Sequence, residues 1–151
     1  MTTDTYVQEV DAPDFTIAIG DGASPETFTA KCTINKSRGF NRTTNIQTNV
    51  VPNCTTPSAP GKTKKKVTSF DWDVDGSGVL NVADAVFFDN WATSGLPKNI
   101  KISVGSVTGA MIFTGPALCQ TFSLTGAAQG DLVEATIKLT GYDIGTTTSH
   151  V

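Results

Sequence analysis

The sequence is poor in charge and contains no long apolar run. Charged residues make up 17% of the 151 residues, and the formal net charge is −3. A protein that reads DNA sequence by neutralising phosphates with a basic face is therefore excluded. No run approaches the roughly 18 consecutive apolar residues of a membrane-spanning helix, and the first residues lack the basic-then-apolar layout of a secretory signal. We expect a chain that is synthesised in the cytosol and has no membrane partner.

Histidine and cysteine are also scarce, and both shortages argue against an active site. The three cysteines, Cys32, Cys54 and Cys119, are odd in number and widely spaced, which fits neither a disulfide framework nor a zinc site. The single histidine, His150, is next to the last residue, so a Ser-His-Asp or Cys-His site would have to be built on a chain end. The sequence predicts no enzyme, no catalytic residue and no cofactor.

What the sequence does contain is alternation of apolar and polar residues with a period of two, which is typical of strands with one buried face. Apolar residues make up 38% of the chain and include eight phenylalanines, enough to fill the core of one domain of this length. We therefore predict a single mainly β domain over residues 1–151. It should begin with a hairpin, and the predicted strands lie at about 15–19, 28–34, 70–74, 100–104, 110–113, 118–124 and 133–139.

One stretch has helical spacing. Apolar residues recur every three to five positions between about residues 82 and 93, and a glycine and a proline follow. The pattern predicts one helix that packs against the sheet. Its expected apolar face consists of Val82, Val86, Phe87 and Trp91.

The stretch from residue 35 to residue 66 has no evident core pattern. It is rich in threonine and asparagine and carries three prolines. A connection of this length is usually a functional loop, a long projecting hairpin or a disordered segment. We predict a long projecting loop here, an N-terminal arm over residues 1–13 and a C-terminal tail over residues 142–151, because both chain ends are polar and non-periodic.

Residues 73–84, DVDGSGVLNVAD, match the spacing of a calcium-binding loop and resemble half of a dockerin-type module. A hard cation prefers several oxygen ligands that converge from a tight loop. The alternative is a strand with an acidic outer face, a glycine turn and a helix whose first turn contains an acidic residue. We favour this alternative and no metal, because no second loop exists and the preceding residues alternate like a strand. The candidate ligands would be Asp73, Asp75, Ser77 and Asp84.

Two charged clusters lie before this segment or overlap its start. Asp71, Asp73 and Asp75 alternate with large apolar residues, so they should share one face of a strand. Such a row could form a metal or acid-base cluster, but it is more often a stripe that faces solvent or a lumen. The basic cluster favours a solvated loop or an electrostatic contact with an acidic neighbour. It consists of Lys62, Lys64, Lys65 and Lys66.

Several motifs occur in an order that resembles the major tail tube protein of long non-contractile-tailed bacteriophages and gene transfer agents. These are GDGASPETFT at 20–29, the strand into GSGVL at 76–80, the aromatic-rich helix that follows, and the segment 101–141, which contains the FTGP hairpin. The resemblance covers most of the chain. The segment 35–66 departs from it.

The resemblance implies a two-sheet β-sandwich with one flanking helix. It also implies a non-enzymatic virion tail protein, made in the host cytoplasm, whose six-subunit rings stack into a hollow tube for genome delivery. The implied partners are other copies of the chain, the tape measure, tail terminator and baseplate proteins, and DNA in transient, non-specific passage. The lysine cluster would then contact neighbouring subunits, and the acidic stripe would face the channel or solvent. The alternative function is a calcium-binding dockerin-like or adhesion module that uses residues 73–84.

Overall fold

The computed structural model describes residues 5–34, 36–126 and 128–151. In these residues the chain forms eight strands, one α-helix and a short 3-10 helix at Ala12–Asp14. None of its helices has the length and hydrophobicity that a membrane crossing requires. The elements are β1 (Phe15–Gly20), β2 (Phe28–Ala30), β3 (Ser37–Val51), β4 (Lys62–Val79), α1 (Val82–Ser94), β5 (Lys98–Val104), β6 (Met111–Thr125), β7 (Glu134–Gly141) and β8 (Thr146–Ser149).

All eight strands belong to one hydrogen-bonded antiparallel sheet, in the order β2-β1-β5-β6-β7-β4-β3, with β8 paired to β6. The long strand β6 divides this sheet into two halves. Residues 111–117 pair with β5 and β8, whereas residues 117–125 pair with β7. A register shift between Cys119 and Thr121 marks a bulge, which bends a strand. The mainly β prediction with one helix is confirmed, but the described strands form one continuous sheet where two sheets were expected.

The two halves of the sheet meet in an aromatic core. The ring of Phe113, on β6, lies 4.7 Å from the ring of Trp72 on β4 and 5.0 Å from that of Phe40 on β3, between centroids. The indole N–H of Trp72 donates to the carbonyl of Asp143. A Cβ at position 141 would overlap the Trp72 ring, so the glycine there is required for close approach. The core therefore joins strands that are not neighbours in the sheet.

The helix α1 confirms the predicted span, but not the predicted face. The side chain of Asn81 caps its N-terminus by accepting the N–H of Ala83, and Gly95 ends it with φ of 68°. Phe88 and Trp91 are buried against the sheet, where Phe88 stacks on Phe122 of β6 at 5.8 Å. The buried positions follow the spacing 84, 88, 91. The expected face was therefore wrong in part, because Val82 and Val86 are 86% and 66% exposed.

The predicted long loop at 35–66 is mostly a β-hairpin. Strands β3 and β4 pair from Ser37 opposite Ser77 to Val51 opposite Lys62, so only residues 52–61 connect them. The register shifts at Asn45 and Ile46, which leaves Thr68 without a partner on β3. This bulge interrupts the period of two. Within 35–66, however, the alternation is not evident because the strand residues 41–51 and 62–66 are all exposed and most are polar.

The predicted chain ends need one correction. Residues 142–151 are not only a tail, because β8 lies within them and pairs with residues 111–114 of β6. The predicted arm, 1–13, begins outside the described residues. Residues 5–11 are exposed and have no regular structure. The carbonyl of Ala12 then accepts a bond from the Arg38 guanidinium, at 3.0 Å. This contact ties the start of β1 to β3 across the two halves of the sheet.

Candidate subunit interface

The hairpin of β3 and β4 projects beyond the core. Trp72 is the last buried residue of β4 in the direction of the hairpin tip, and residues 41–51 and 62–71 are all exposed. At about 3.3 Å per residue, the exposed strands extend roughly 30 Å. A projection of this length buries little against its own domain. It is therefore available for contact with another molecule.

The two faces of this projection differ in chemistry. Residues that pair in an antiparallel ladder share a face, and side chains alternate between faces along each strand. The apolar hairpin face carries Ile46, Val50, Val67 and Phe70, which are 56%, 70%, 54% and 52% exposed. The polar hairpin face carries asparagine and glutamine from β3 opposite serine and lysine from β4. The bulge at Thr68 produces this segregation, because it places Val67 and Phe70 on the same face although they are three residues apart.

The four lysines of the predicted subunit contact all lie on the exposed part of β4. Lys62, Lys64 and Lys66 are on the polar hairpin face, whereas Lys65 pairs with Thr48 on the apolar face. Within the described part of the chain, no carboxylate lies within 4.0 Å of any of these ammonium groups. Their role in subunit contact stays a prediction. The sequence did not reveal that they divide between two faces.

The acidic stripe lies near the base of the hairpin, on the same side of β4 as Lys62, Lys64 and Lys66. The Asn41 amide donates to Asp73 at 3.0 Å and to Asp75 at 3.4 Å, and the Asn45 amide donates to Asp71 at 2.7 Å. These amides from β3 hold the three carboxylates in a row along β4. The sequence placed the carboxylates on one face but did not show that asparagines on the paired strand would bind them.

Residues 73–79 form neither the candidate calcium loop nor the glycine turn of the favoured alternative, because they are strand. Asp73, Asp75 and Ser77 lie in β4, which continues to Val79. Asp84 belongs to α1 and is only 5% exposed. Its carboxylate accepts the hydroxyl of Thr33 at 2.8 Å and the Thr33 N–H at 3.3 Å. The described residues contain no group of three His, Cys, Asp or Glu side chains that could hold a metal ion.

Asp84 instead connects the helix to the segment between β2 and β3. Besides the two bonds from Thr33, the Lys31 ammonium lies 4.0 Å from the other Asp84 oxygen and 4.1 Å from the centre of the Phe87 ring. The Asn81 N–H in turn donates to the Thr33 hydroxyl at 3.1 Å. These contacts connect the N-terminal end of α1 to Lys31 and Thr33, which precede β3 in the chain.

One half of the sheet has free edges on both sides. Among the described strands, β3 is the outermost and pairs only with β4. On the other side, residues 118–125 of β6 pair with β7 and with no other described strand. Free edges present unpaired backbone N–H and carbonyl groups that can pair with another chain. This half of the sheet, β6-β7-β4-β3, could therefore continue into a second copy on either side.

The three cysteines lie in different parts of the structure: Cys32 between β2 and β3, Cys54 in the connection 52–61 of the hairpin, and Cys119 on β6. Cys32 and Cys54 are exposed, whereas Cys119 is buried in the core next to the bulge of β6. Burial raises the pKa of the Cys119 thiol to about 11, because the thiolate is poorly solvated there. The Cys119 thiol is thus protonated at neutral pH and packs as a small apolar group.

Structural comparison identifies the fold. The chain is similar to a chain from the tail of an empty gene transfer agent particle with C6 symmetry, with a TM-score of 0.66 and 11% identity over 91% of this chain and 98% of that one. It is also similar to the SPP1 tail tube, with a TM-score of 0.65 and 11% identity over 95% and 81% of the two chains. A chain of the anti-feeding prophage baseplate gives 0.62 and 12% over 98% and 97%.

Comparison by sequence adds nothing to this. No family model matches the chain, and no curated protein matches it. At 11 to 12% identity the structural similarity establishes the fold. The chain has the tail-tube fold that the sequence motifs predicted.

Proposed function

We propose that this chain is a non-enzymatic structural protein of a virion tail, in which copies close into rings and the rings stack into a hollow tube for genome delivery. The observation that carries this proposal is the half-sheet β6-β7-β4-β3, which has a free edge on each side in a chain with the fold of assembled tail structures. It would be synthesised in the host cytoplasm and function in the tail of the virion.

Ring closure follows from the two free edges. The edge of β3 in one copy pairs with residues 118–125 of β6 in the next copy, which is a head-to-tail contact that closes if the rotation between copies completes a circle. The backbone N–H and carbonyl groups on both edges of the half-sheet then have hydrogen-bond partners, as in a closed barrel. Six copies in a ring is the number we propose, since the similar gene transfer agent tail has C6 symmetry.

The polar side of this half-sheet is the proposed channel wall. It carries the row of Asp71, Asp73 and Asp75, whose charges would repel DNA phosphates and keep the genome from adhering during passage. Lys138 of β7 lies opposite Asp75 in the ladder and offsets part of this charge. The wall would therefore be acidic at the level of the stripe, whereas Lys62, Lys64 and Lys66 lie on the same side toward the hairpin tip.

The projecting hairpin is the proposed connection between stacked rings. Its lysines would meet acidic groups of a neighbouring copy and set the register of the contact more than its affinity. One end of such a tube would present the hairpins to the remaining partners, and the other end would present the surface that receives them. These partners are the tape measure protein inside the tube, and the tail terminator and baseplate proteins at its ends.

Electron microscopy of the purified protein at high concentration tests the proposal. The expected result is rings or tubes with a central channel. A chain that stays monomeric at all concentrations, by sedimentation velocity and by microscopy, would contradict it.

A truncated chain separates ring closure from stacking. In it, residues 46–68 are replaced by Asn-Gly, a sequence suited to a two-residue hairpin turn between the paired residues Asn45 and Ser69. It should fold and form rings but no long tubes.

A further inference from the structure

The apolar hairpin face has no partner within the described chain. Its four apolar side chains are each more than half exposed, although they continue the row of residues that fills the core at Phe40 and Trp72. A two-stranded hairpin with one exposed apolar face is at best marginally stable in water. Exposed apolar side chains that share one face, with Ile46 and Val67 paired across the hairpin, indicate a contact with another molecule.

A complementary surface lies at the opposite end of β4. Strand β4 begins at Lys62 in the hairpin and ends at Val79 on the far side of the domain. An open cavity of about 520 Å³ lies there. Near it, Leu132 and Val133 are 68% and 41% exposed. We call this cavity the acceptor cleft, and its lining residues are Val79, Thr125, Gly130, Asp131, Leu132 and Glu134.

The charges of the two surfaces are also complementary. Among the lysines of the hairpin, Lys65 alone shares the face of Ile46 and Val67. The acceptor cleft carries Asp131 and Glu134. Glu134 binds Lys36 at 3.1 Å, whereas Asp131 accepts only the N–H of Ala128, at 3.1 Å, within the described residues. The Asp131 carboxylate is therefore available to a cation from outside.

We propose that the apolar hairpin face of one copy docks into the acceptor cleft of a second copy, with Lys65 directed toward Asp131. Copies stacked head to tail along the direction of β4 place the hairpin of one against the Val79 end of the next. The contact is heterologous and open, so it repeats along a stack. This inference rests on the proposed function and specifies the partner of the hairpin in the adjacent ring.

The acidic stripe is the competing partner for the lysines. It lies at the base of the hairpin, on the polar side, and Asn41 and Asn45 already donate to its carboxylates. In a head-to-tail stack the next copy presents its Val79 end and not this base. The acceptor cleft also offers apolar side chains for Ile46 and Val67, which the stripe does not.

Negative charges added to the two faces test the proposal. Lys65→Glu should abolish elongation of rings into tubes in electron micrographs, while Asn49→Glu, on the polar hairpin face, should leave tube length close to that of the parent. Adding Asp131→Lys to Lys65→Glu should restore elongation. Ile46→Asp and Gln47→Asp form a second matched pair, with loss of elongation expected only for the first. Circular dichroism should show that all variants are folded.

The outcomes separate this inference from the proposed function. If the parent chain forms neither rings nor tubes, both are overturned. If the parent forms tubes but Asn49→Glu is as harmful as Lys65→Glu, the docked face is wrong. If Asp71→Lys restores elongation to Lys65→Glu and Asp131→Lys does not, the lysine contacts the acidic stripe and the acceptor cleft is overturned as its partner.

Discussion

The buried bonds between Asp84 and Thr33 should contribute strongly to stability, and Asp84→Ala tests this. Thr33 is fully buried and Asp84 is 5% exposed. The substitution leaves the Thr33 hydroxyl and N–H without their acceptor, and a hydrogen bond to a charged group contributes about 1.5 to 3 kcal/mol. The contribution of the bond from the Thr33 hydroxyl, at 2.8 Å, should lie in that range. The contribution of the longer bond from the Thr33 N–H, at 3.3 Å, should be smaller. Loss of a negative charge from the first helical turn adds about 0.3 to 1 kcal/mol.

The expected decrease in the free energy of unfolding is therefore about 3 to 4 kcal/mol, a large part of the 5 to 15 kcal/mol that is typical of a domain. Urea denaturation, followed by tryptophan fluorescence at a concentration where sedimentation shows dispersed subunits, measures it. Asp89→Ala is the matched control on the exposed side of the same helix, with an expected change of less than about 0.5 kcal/mol.

A double-mutant cycle with Thr33→Val checks the assignment. Valine has nearly the shape of threonine but lacks the hydroxyl that donates to Asp84. The two substitutions should couple by about 1 to 2 kcal/mol, because each removes the same bond. The reasoning is refuted if Asp84→Ala is as stable as the parent, or if the two effects add without coupling.

Three further predictions follow from the core and the sites described above. Phe88→Ala should lower the free energy of unfolding by about 3 to 5 kcal/mol, since the ring is fully buried. Val86→Ala, on the exposed side of α1, should change it by less than about 0.5 kcal/mol. Urea denaturation of the two variants and the parent measures both differences. At pH 8, iodoacetamide should modify Cys32 and Cys54 long before Cys119, because the raised pKa of Cys119 leaves about one thiol in a thousand ionised. Mass spectrometry of the native protein after timed reaction measures the order, and equal rates at all three cysteines would contradict the prediction. EDTA should leave the melting temperature unchanged, and a decrease that calcium reverses would restore the metal alternative.

The sequence predicted the elements whose pattern is local. The strands around Ile17 and Ile137 alternate between one buried and one less buried face, and the helix has an N-cap asparagine and a C-terminal glycine. The predicted face of the helix was wrong in part, because apolar residues occur around more of the helix than the side that the sheet buries. Periodicity alone did not distinguish Val86 from Phe88, and contact with Phe122 of β6, distant in sequence, decides between them.

The candidate site was only partly predictable. The lysines and the acidic stripe are visible as clusters, but their distribution over two faces depends on the pairing of β3 with β4. A single unpaired residue of β4, Thr68, reverses the face on which each residue of β4 between it and the hairpin tip lies. Likewise, the acceptor cleft brings Val79 next to Leu132, which are far apart in the chain. Neither relation has a local signal in the sequence.

The same reasoning explains why the hairpin resembles a loop in the sequence. A strand is recognisable in a sequence when alternate apolar residues form a face that its own domain buries. Within the described chain, no surface buries Ile46 and Val67. In the proposed tube the surface that buries them belongs to another copy. The exposed hairpin therefore needs enough polar residues to keep the free subunit dissolved, and enough apolar residues to hold the stack together. A segment under both requirements has a mixed composition, so its pattern becomes clear only when the pairing partner and the neighbouring copy are both considered.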